Sequence, residues 1–404
     1  MPRMKTKPSF TQTVAPAAPG PASSGVGKAT LPVSPPGTHF YFVNAPVDFL
    51  IVGLGSILTF FGLYFVYGTD SNRWAAELAL VLTFIINNPH FAATNYRLYH
   101  TRDNILQYPI TALVIPWVIL ALVIASFYSP KFVAPIFYKV FLYWSPYHFS
   151  GQTLGVTLIY ARRAGFFVGK WERFTLSNVI YGSFLYMTAR GDMITAATDI
   201  VMPQVSDVDQ YRLGLPMWVS EVILVWMVLN ALAFTSLVVK WCYTQHRLLP
   251  PIVLLPVVTQ IIWFIPGAYV KSFYLFVPMF HSLQYLLIAW SLHLKEKMDL
   301  QKITPSARYV ISESLRWGFI NIVVGLLLFW GIPQGLYYIF AQDFGWNYSY
   351  VFVLAIFTTG VQIHHFFVDG VIWKLKKKTV ASPLMVNLDE LIHPPKPGPT
   401  LQGA

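Results

Sequence analysis

Ten apolar stretches of 18 to 29 residues, each with few charges, follow one another between residues 47 and 373. They lie at 47–68, 74–97, 108–128, 132–160, 172–189, 216–241, 251–270, 272–294, 314–333 and 348–373. A helix rising 1.5 Å per residue needs about 20 residues to cross roughly 30 Å of hydrocarbon. The pattern therefore predicts an all-α, polytopic integral membrane bundle of about 10 transmembrane helices. The seventh stretch is the weakest, because Pro256 and Pro266 interrupt it. Proline is tolerated in membrane helices whose neighbours satisfy the freed carbonyls. Composition agrees with this reading. Only 11% of the residues are charged, against about 25% in soluble domains, so the chain cannot cover a water-facing surface of its size. A soluble globular enzyme, a disordered protein and a disulfide scaffold are excluded. So is an outer-membrane barrel, whose apolar segments are short and alternating.

The expected organisation is a disordered N-terminal tail at 1–38, a transmembrane helical domain at 39–378 and a disordered C-terminal tail at 379–404. Cys242 is the sole cysteine, so there is neither an intramolecular disulfide nor a thiolate-built metal or iron–sulfur site. The net charge of +11 does not point to nucleic acid, because the basic residues form short clusters between apolar runs. With ten spans and a cytoplasmic N-terminus, 22 of the 28 lysines and arginines fall on the cytoplasmic side. That bias predicts an even number of spans with both termini cytoplasmic. The expected location is a bacterial inner (cytoplasmic) membrane.

Five of the ten histidines fall inside predicted spans: His90, His148, His281, His364 and His365. Ionisable side chains within a membrane are costly, and each is a candidate site residue by default. These occupy the second, fourth, eighth and tenth stretches, which all run in the same direction. His90 lies 7 residues before Arg97, His148 14 before Arg162, His281 14 before Lys295, and His365 9 before Lys374. The corresponding depths are about 10 to 21 Å below the cytoplasmic surface. Four helices thus deliver imidazoles to one band of the bilayer.

Each histidine has polar company. Asn87 shortly precedes His90, with Thr94 four residues after it. Gln152 lies i+4 from His148, Gln284 i+3 from His281, and Asp369 i+4 from His365. Residues three or four apart share a helix face. A metal-bound imidazole needs a partner for its second nitrogen, a role that Asn87, Gln152, Gln284 and Asp369 fit. A lone intramembrane histidine is more often interhelical glue than a ligand. Four helices with polar partners at similar depth favour a metal or haem site. The adjacent pair His364 and His365 cannot place both rings on one face, so one ligates while the other supports it or faces another helix.

Imidazole suits iron, copper and zinc. With no thiolate and few intramembrane carboxylates, mononuclear iron held by imidazoles, with or without a carboxylate, fits best. Bis-histidine haem follows, then copper. No phosphate-binding glycine loop, dinucleotide fingerprint or HExxH zinc motif occurs.

This arrangement of one histidine on each of several spans resembles the Brp/Blh-type membrane carotene dioxygenases, over roughly residues 80–373 in pattern. The resemblance implies an all-imidazole iron site that cleaves β-carotene to retinal within the membrane. It carries the ligand role to His90, His148, His281 and His364 or His365. Membrane fatty-acid desaturases and hydroxylases are a poorer match, because their HxxHH boxes are absent here.

The expected function is therefore an intramembrane, iron-dependent oxidoreductase or oxygenase. Its substrate would be a lipophilic small molecule from the bilayer, such as a carotenoid, another isoprenoid or an acyl chain. The expected surroundings are membrane lipid and, where a larger complex exists, other membrane subunits. A non-catalytic haem- or pigment-binding subunit and a histidine-lined transporter are the alternatives. Convergent histidines favour one metal, and divergent ones favour several tetrapyrroles.

Overall fold

The computed structural model describes residues 40–191, 214–301, 306–340 and 348–372. The expectations for the two tails lie outside the described residues. Every one of the ten apolar stretches forms a helix: α1 (Ala45–Tyr67), α2 (73–99), α3 (Ile110–Tyr128), α4 (Val133–Arg163), α5 (Lys170–Arg190), α6 (Met217–Gln245), α7 (Pro251–Phe264), α8 (Val277–Gln301), α9 (Ala307–Tyr338) and α10 (Tyr350–Ile372). No strand occurs among the described residues. Among the described residues, seven segments are long and apolar enough to cross a membrane. The other three are α2, α4 and α5, which are long but more polar. Asn87, Asn88, His90, Thr94 and Asn95 dilute the apolar character of α2, as His148, Ser150, Gln152, Thr153 and Thr157 dilute that of α4.

Prolines shape several of these helices. A proline lacks an N–H and its ring crowds the carbonyl four residues earlier. Pro89, Pro116 and Pro333 each place that crowded carbonyl inside a π-helical turn, at Thr83–Asn87, Ile110–Val114 and Leu327–Gly331 respectively. Widening the turn lets the chain pass the proline without breaking the helix. Pro266 acts differently: α7 ends just before it, and a short 3₁₀ turn follows at Gly267–Tyr269.

The helices α2, α4, α8 and α10 form the middle of the fold: α2 packs on both α8 and α10, and α4 on both α8 and α10. Around them α9 lies against α2, α3 against α10, and α7 against α4 and α5, with α6 covering α5. Buried polar side chains join these helices. Gln260 of α7 accepts from Thr153 Oγ1 at 2.9 Å and donates to Ser150 Oγ at 2.7 Å, fixing α4 just beyond His148. Such interhelical hydrogen bonds avoid the cost of unpaired polar groups in an apolar surround.

Asp48, at the start of α1, is fully buried and accepts from three donors. These are Phe42 N at 2.6 Å, Val43 N at 3.0 Å and Tyr160 OH of α4 at 2.7 Å. The carboxylate thereby ties the segment before α1 to α4. Asp48→Ala strands all three donors and is expected to destabilise the protein by about 3 kcal/mol. Denaturant unfolding in mixed micelles checks this, and an unchanged midpoint would remove Asp48 from the list of stabilising groups.

Candidate metal centre

Three of the central helices bring imidazoles to one point. His90 stands just after Pro89, where α2 resumes its regular winding. His148 comes from the middle of α4, and His365 and Asp369 from consecutive turns of α10. His365 Nε2 lies 2.8 Å from His90 Nε2 and 3.1 Å from His148 Nε2. Asp369 Oδ2 lies 3.3 Å from His365 Nε2 and 3.6 Å from His148 Nε2. The four donor atoms all fall within 4.8 Å of one another. His90 and His365 are fully buried, whereas 9% of the His148 side chain and 7% of Asp369 remain accessible.

A hydrogen-bond network explains these contacts poorly. A neutral imidazole nitrogen carries either a proton or a lone pair. If His365 Nε2 holds a lone pair, it faces the Asp369 carboxylate with like polarity. If it holds a proton, that one proton can serve only one of its three close neighbours, His90 Nε2, His148 Nε2 and Asp369 Oδ2. A cation bound by all four donors removes the conflict. The separations of 2.8–3.6 Å between His365 and its three neighbours and between His148 and Asp369 match the edges of a ligand shell whose metal–nitrogen bonds are about 2.0–2.1 Å. The group can hold a metal ion.

The fourth helix, α8, contributes His281 beside this group. Its ring centre lies 5.2 Å from that of His90 and 5.1 Å from that of His148, and it stacks on Phe149 at 4.0 Å. Both of its ring nitrogens are buried without a hydrogen-bond partner. His364 takes no part. Successive helical residues point about 100° apart, and the Nε2 of His364 is turned from the donors to reach Tyr99 OH at 3.2 Å. The His364–His365 pair thus divides as the helix geometry requires.

Of the four residues expected to support the imidazoles, Asp369 joins the donors themselves. The other three hold main chain or neighbouring helices. Gln152 Nε2 donates to the carbonyl of His281 at 2.8 Å, and Gln284 Nε2 to that of Val52 at 2.6 Å. Asn87 Oδ1 accepts from Ser282 Oγ at 2.7 Å. Together they fasten α8 to α4, α2 and α1 at His281 and just after it.

Tyr285 was not expected from the sequence. Its hydroxyl sits 2.5 Å from Thr94 Oγ1, which in turn lies 3.2 Å from Asp369 Oδ1. Its ring centre is 4.1 Å from that of His90. The signal was present, because Tyr285 follows His281 at i+4, as Thr94 follows His90. Three phenylalanines wall the site: Phe149 on His281, Phe366 on His148 at 4.6 Å, and Phe91 on His365 at 4.7 Å. Thr94→Val removes the hydroxyl beside Asp369 while keeping the volume. Metal affinity, measured by competition with a chromogenic chelator, is expected to fall 10- to 100-fold. Comparisons with protein-family models, characterised proteins and solved structures find no match for this chain.

Proposed function

We propose that the chain is an intramembrane, metal-dependent oxidoreductase in which His90, His148, His365 and Asp369 hold an iron ion next to a lipophilic substrate. The observation that carries this reading is the meeting of three Nε2 atoms from three helices with one carboxylate in a buried site. Neutral nitrogen donors combined with a carboxylate are the donor set of non-haem iron oxygenases. Haem is disfavoured by distance. Two imidazoles on opposite faces of one haem iron stand about 4 Å apart, twice a metal–nitrogen bond of about 2 Å. The nitrogens here approach to 2.8 and 3.1 Å, which leaves no room for a macrocycle between them. Convergence likewise disfavours separate tetrapyrroles.

When bound, the iron would supply the chemistry of dioxygen activation. The residues of the chain would do the rest. Thr94 and Tyr285 would orient Asp369, and Phe91, Phe149 and Phe366 would keep bulk water away. His148 is the least buried of the three imidazoles and stacks on Phe366, which makes its side the natural approach for an apolar substrate. A carotenoid, another isoprenoid or an acyl chain fits such a wall, in keeping with the likeness to the Brp/Blh-type dioxygenases. In this reading α2, α4 and α5 also span the bilayer, giving ten spans with both termini in the cytoplasm of a bacterial cell.

The test is purification in mild detergent, with elemental analysis for iron, copper and zinc beside a visible spectrum. Near-stoichiometric iron without a Soret band is the expected result, after which lipophilic substrates are screened for oxidation. Protein that takes up no metal, even after anaerobic incubation with ferrous iron, would overturn the reading. A stoichiometric Soret band would replace it with that of a haem carrier.

A further inference from the structure

A cleft opens among α2, α8 and α9, beyond the donors toward the charged ends of α2 and α8. Arg97, His100, Glu296 and Lys297 stand on its walls, and Ala93, Ala289 and Trp317 line it deeper in. Charged contacts hold the walls in place. Arg97 Nη2 lies 3.1 Å from Glu296 Oε1. His293, also on the wall, sits 2.8 Å from Glu313 Oε1, while Arg316 grips the same carboxylate at 2.5 and 2.7 Å. Burial, reinforced by the nearby cations of Lys297 and Arg97 against the pull of Glu296, lowers the pKa of His100.

Tyr285 stands behind the lining of this cleft, on the side of the metal donors. Tyr285 packs against Ala93, Ala289 and Trp317, the same residues that line the cleft. Its other side meets His90 at 4.1 Å between ring centres, and its hydroxyl is held by Thr94 beside Asp369. Ala93 and Ala289 have small side chains, so little material lies between the cleft and the Tyr285 ring.

We propose that this cleft is the water-side access route to the four donors, admitting a small hydrated divalent cation, and that Tyr285 is its gate. The route is distinct from the phenylalanine-walled approach at His148, so the polar and apolar reactants would arrive from different sides. The identity of the traveller rests on the metal-centre reading above, but the route itself does not.

The experiment separates the two. In a Cys242→Ser background, which removes the sole cysteine, His281→Cys places a thiol beside the donors. Its reaction with a permanently charged methanethiosulfonate reagent is then timed. The rate is expected to be low with Tyr285 present, at least 10-fold higher with Tyr285→Ala, and low again when Ala289→Trp is added to fill the cleft. Tyr285→Phe, which keeps the packing and loses only the hydroxyl, is expected to give about a 3-fold increase and serves if Tyr285→Ala does not fold. Equal rates with and without the gate substitutions, or no slowing by Ala289→Trp, would overturn the proposal. In metal-loaded protein that retains His281, Ala289→Trp should slow release to a chelator at least 10-fold, and unchanged release would overturn the cation assignment. A chain that binds no metal defeats the metal-centre reading, while the thiol rates still decide whether the cleft leads to the donors.

Discussion

His365→Ala is expected to reduce bound metal from near one ion per chain to near none. His365 is the pivot of the donor set. Its Nε2 lies 2.8 Å from that of His90, 3.1 Å from that of His148 and 3.3 Å from Asp369 Oδ2. Losing a side chain that only supports a ligand costs 10- to 100-fold in affinity, so losing the pivot should cost at least 100-fold. The control is its neighbour. His364→Ala removes an imidazole directed at Tyr99 and should leave metal content unchanged. Elemental analysis of both variants, purified in parallel and matched for monodispersity in detergent, gives the answer. Equal loss in the two variants would mean that the effect is global, and the assignment of His365 would fail.

Gly325→Ala should damage the site from outside it. At Gly325 the backbone of α9 presses directly on α2, immediately before His90. A Cβ there would stand 2.8 Å from the carbonyl carbon of Asn88, 2.9 Å from its oxygen and 3.0 Å from Pro89 N. These are main-chain atoms and cannot swing aside as the end of a side chain can. Overpacking of this kind costs about 1–3 kcal/mol. The displacement would pass straight to His90, two residues along from Asn88, and metal affinity should fall roughly 10-fold or more, because ligand positions tolerate only about 0.5 Å of error. Gly318→Ala on the same helix is the comparison, because a Cβ there meets nothing within 4 Å. That variant should be neutral or gain up to about 1 kcal/mol from helix propensity. Chelator competition and denaturant unfolding on both variants test the contrast. Matching behaviour would show that the α2–α9 contact does not position His90.

Much of this fold was legible because membrane helices advertise themselves by length. All ten helices follow the apolar stretches, and the histidine-bearing ones lie together in the middle. The pairing of His365 with Asp369 was also readable, because an i,i+4 relation is local. The roles of Asn87, Gln152 and Gln284 were not readable. Helical spacing shows which face a side chain shares, but it does not distinguish a ring nitrogen from a carbonyl on the next helix, and these three reach Ser282, the His281 carbonyl and the Val52 carbonyl. The polarity of α2 and α4 has the same origin. A helix that carries the site into the centre of the bundle buries its polar face against protein, so its average composition understates how enclosed it is. Tyr285 and the convergence through a single nitrogen depend on how the helices cross, which no single stretch encodes.

The π turn at Thr83–Asn87 has a consequence for how α2 serves two sets of neighbours. Such a turn holds one residue more than an α turn, and each residue advances the helix by about 100°. The turn therefore resets the angular phase of α2 midway along its length. Ala75 and Ala79, before it, are buried in the cluster built around Trp263, Phe264 and Phe273. After it, His90 and Thr94 point to α10 and Asp369. An uninterrupted helix would carry the first face straight through and turn the second away from its partner. The extra residue acts as a dial setting, uncoupling the packing half of the helix from the half that carries the chemistry.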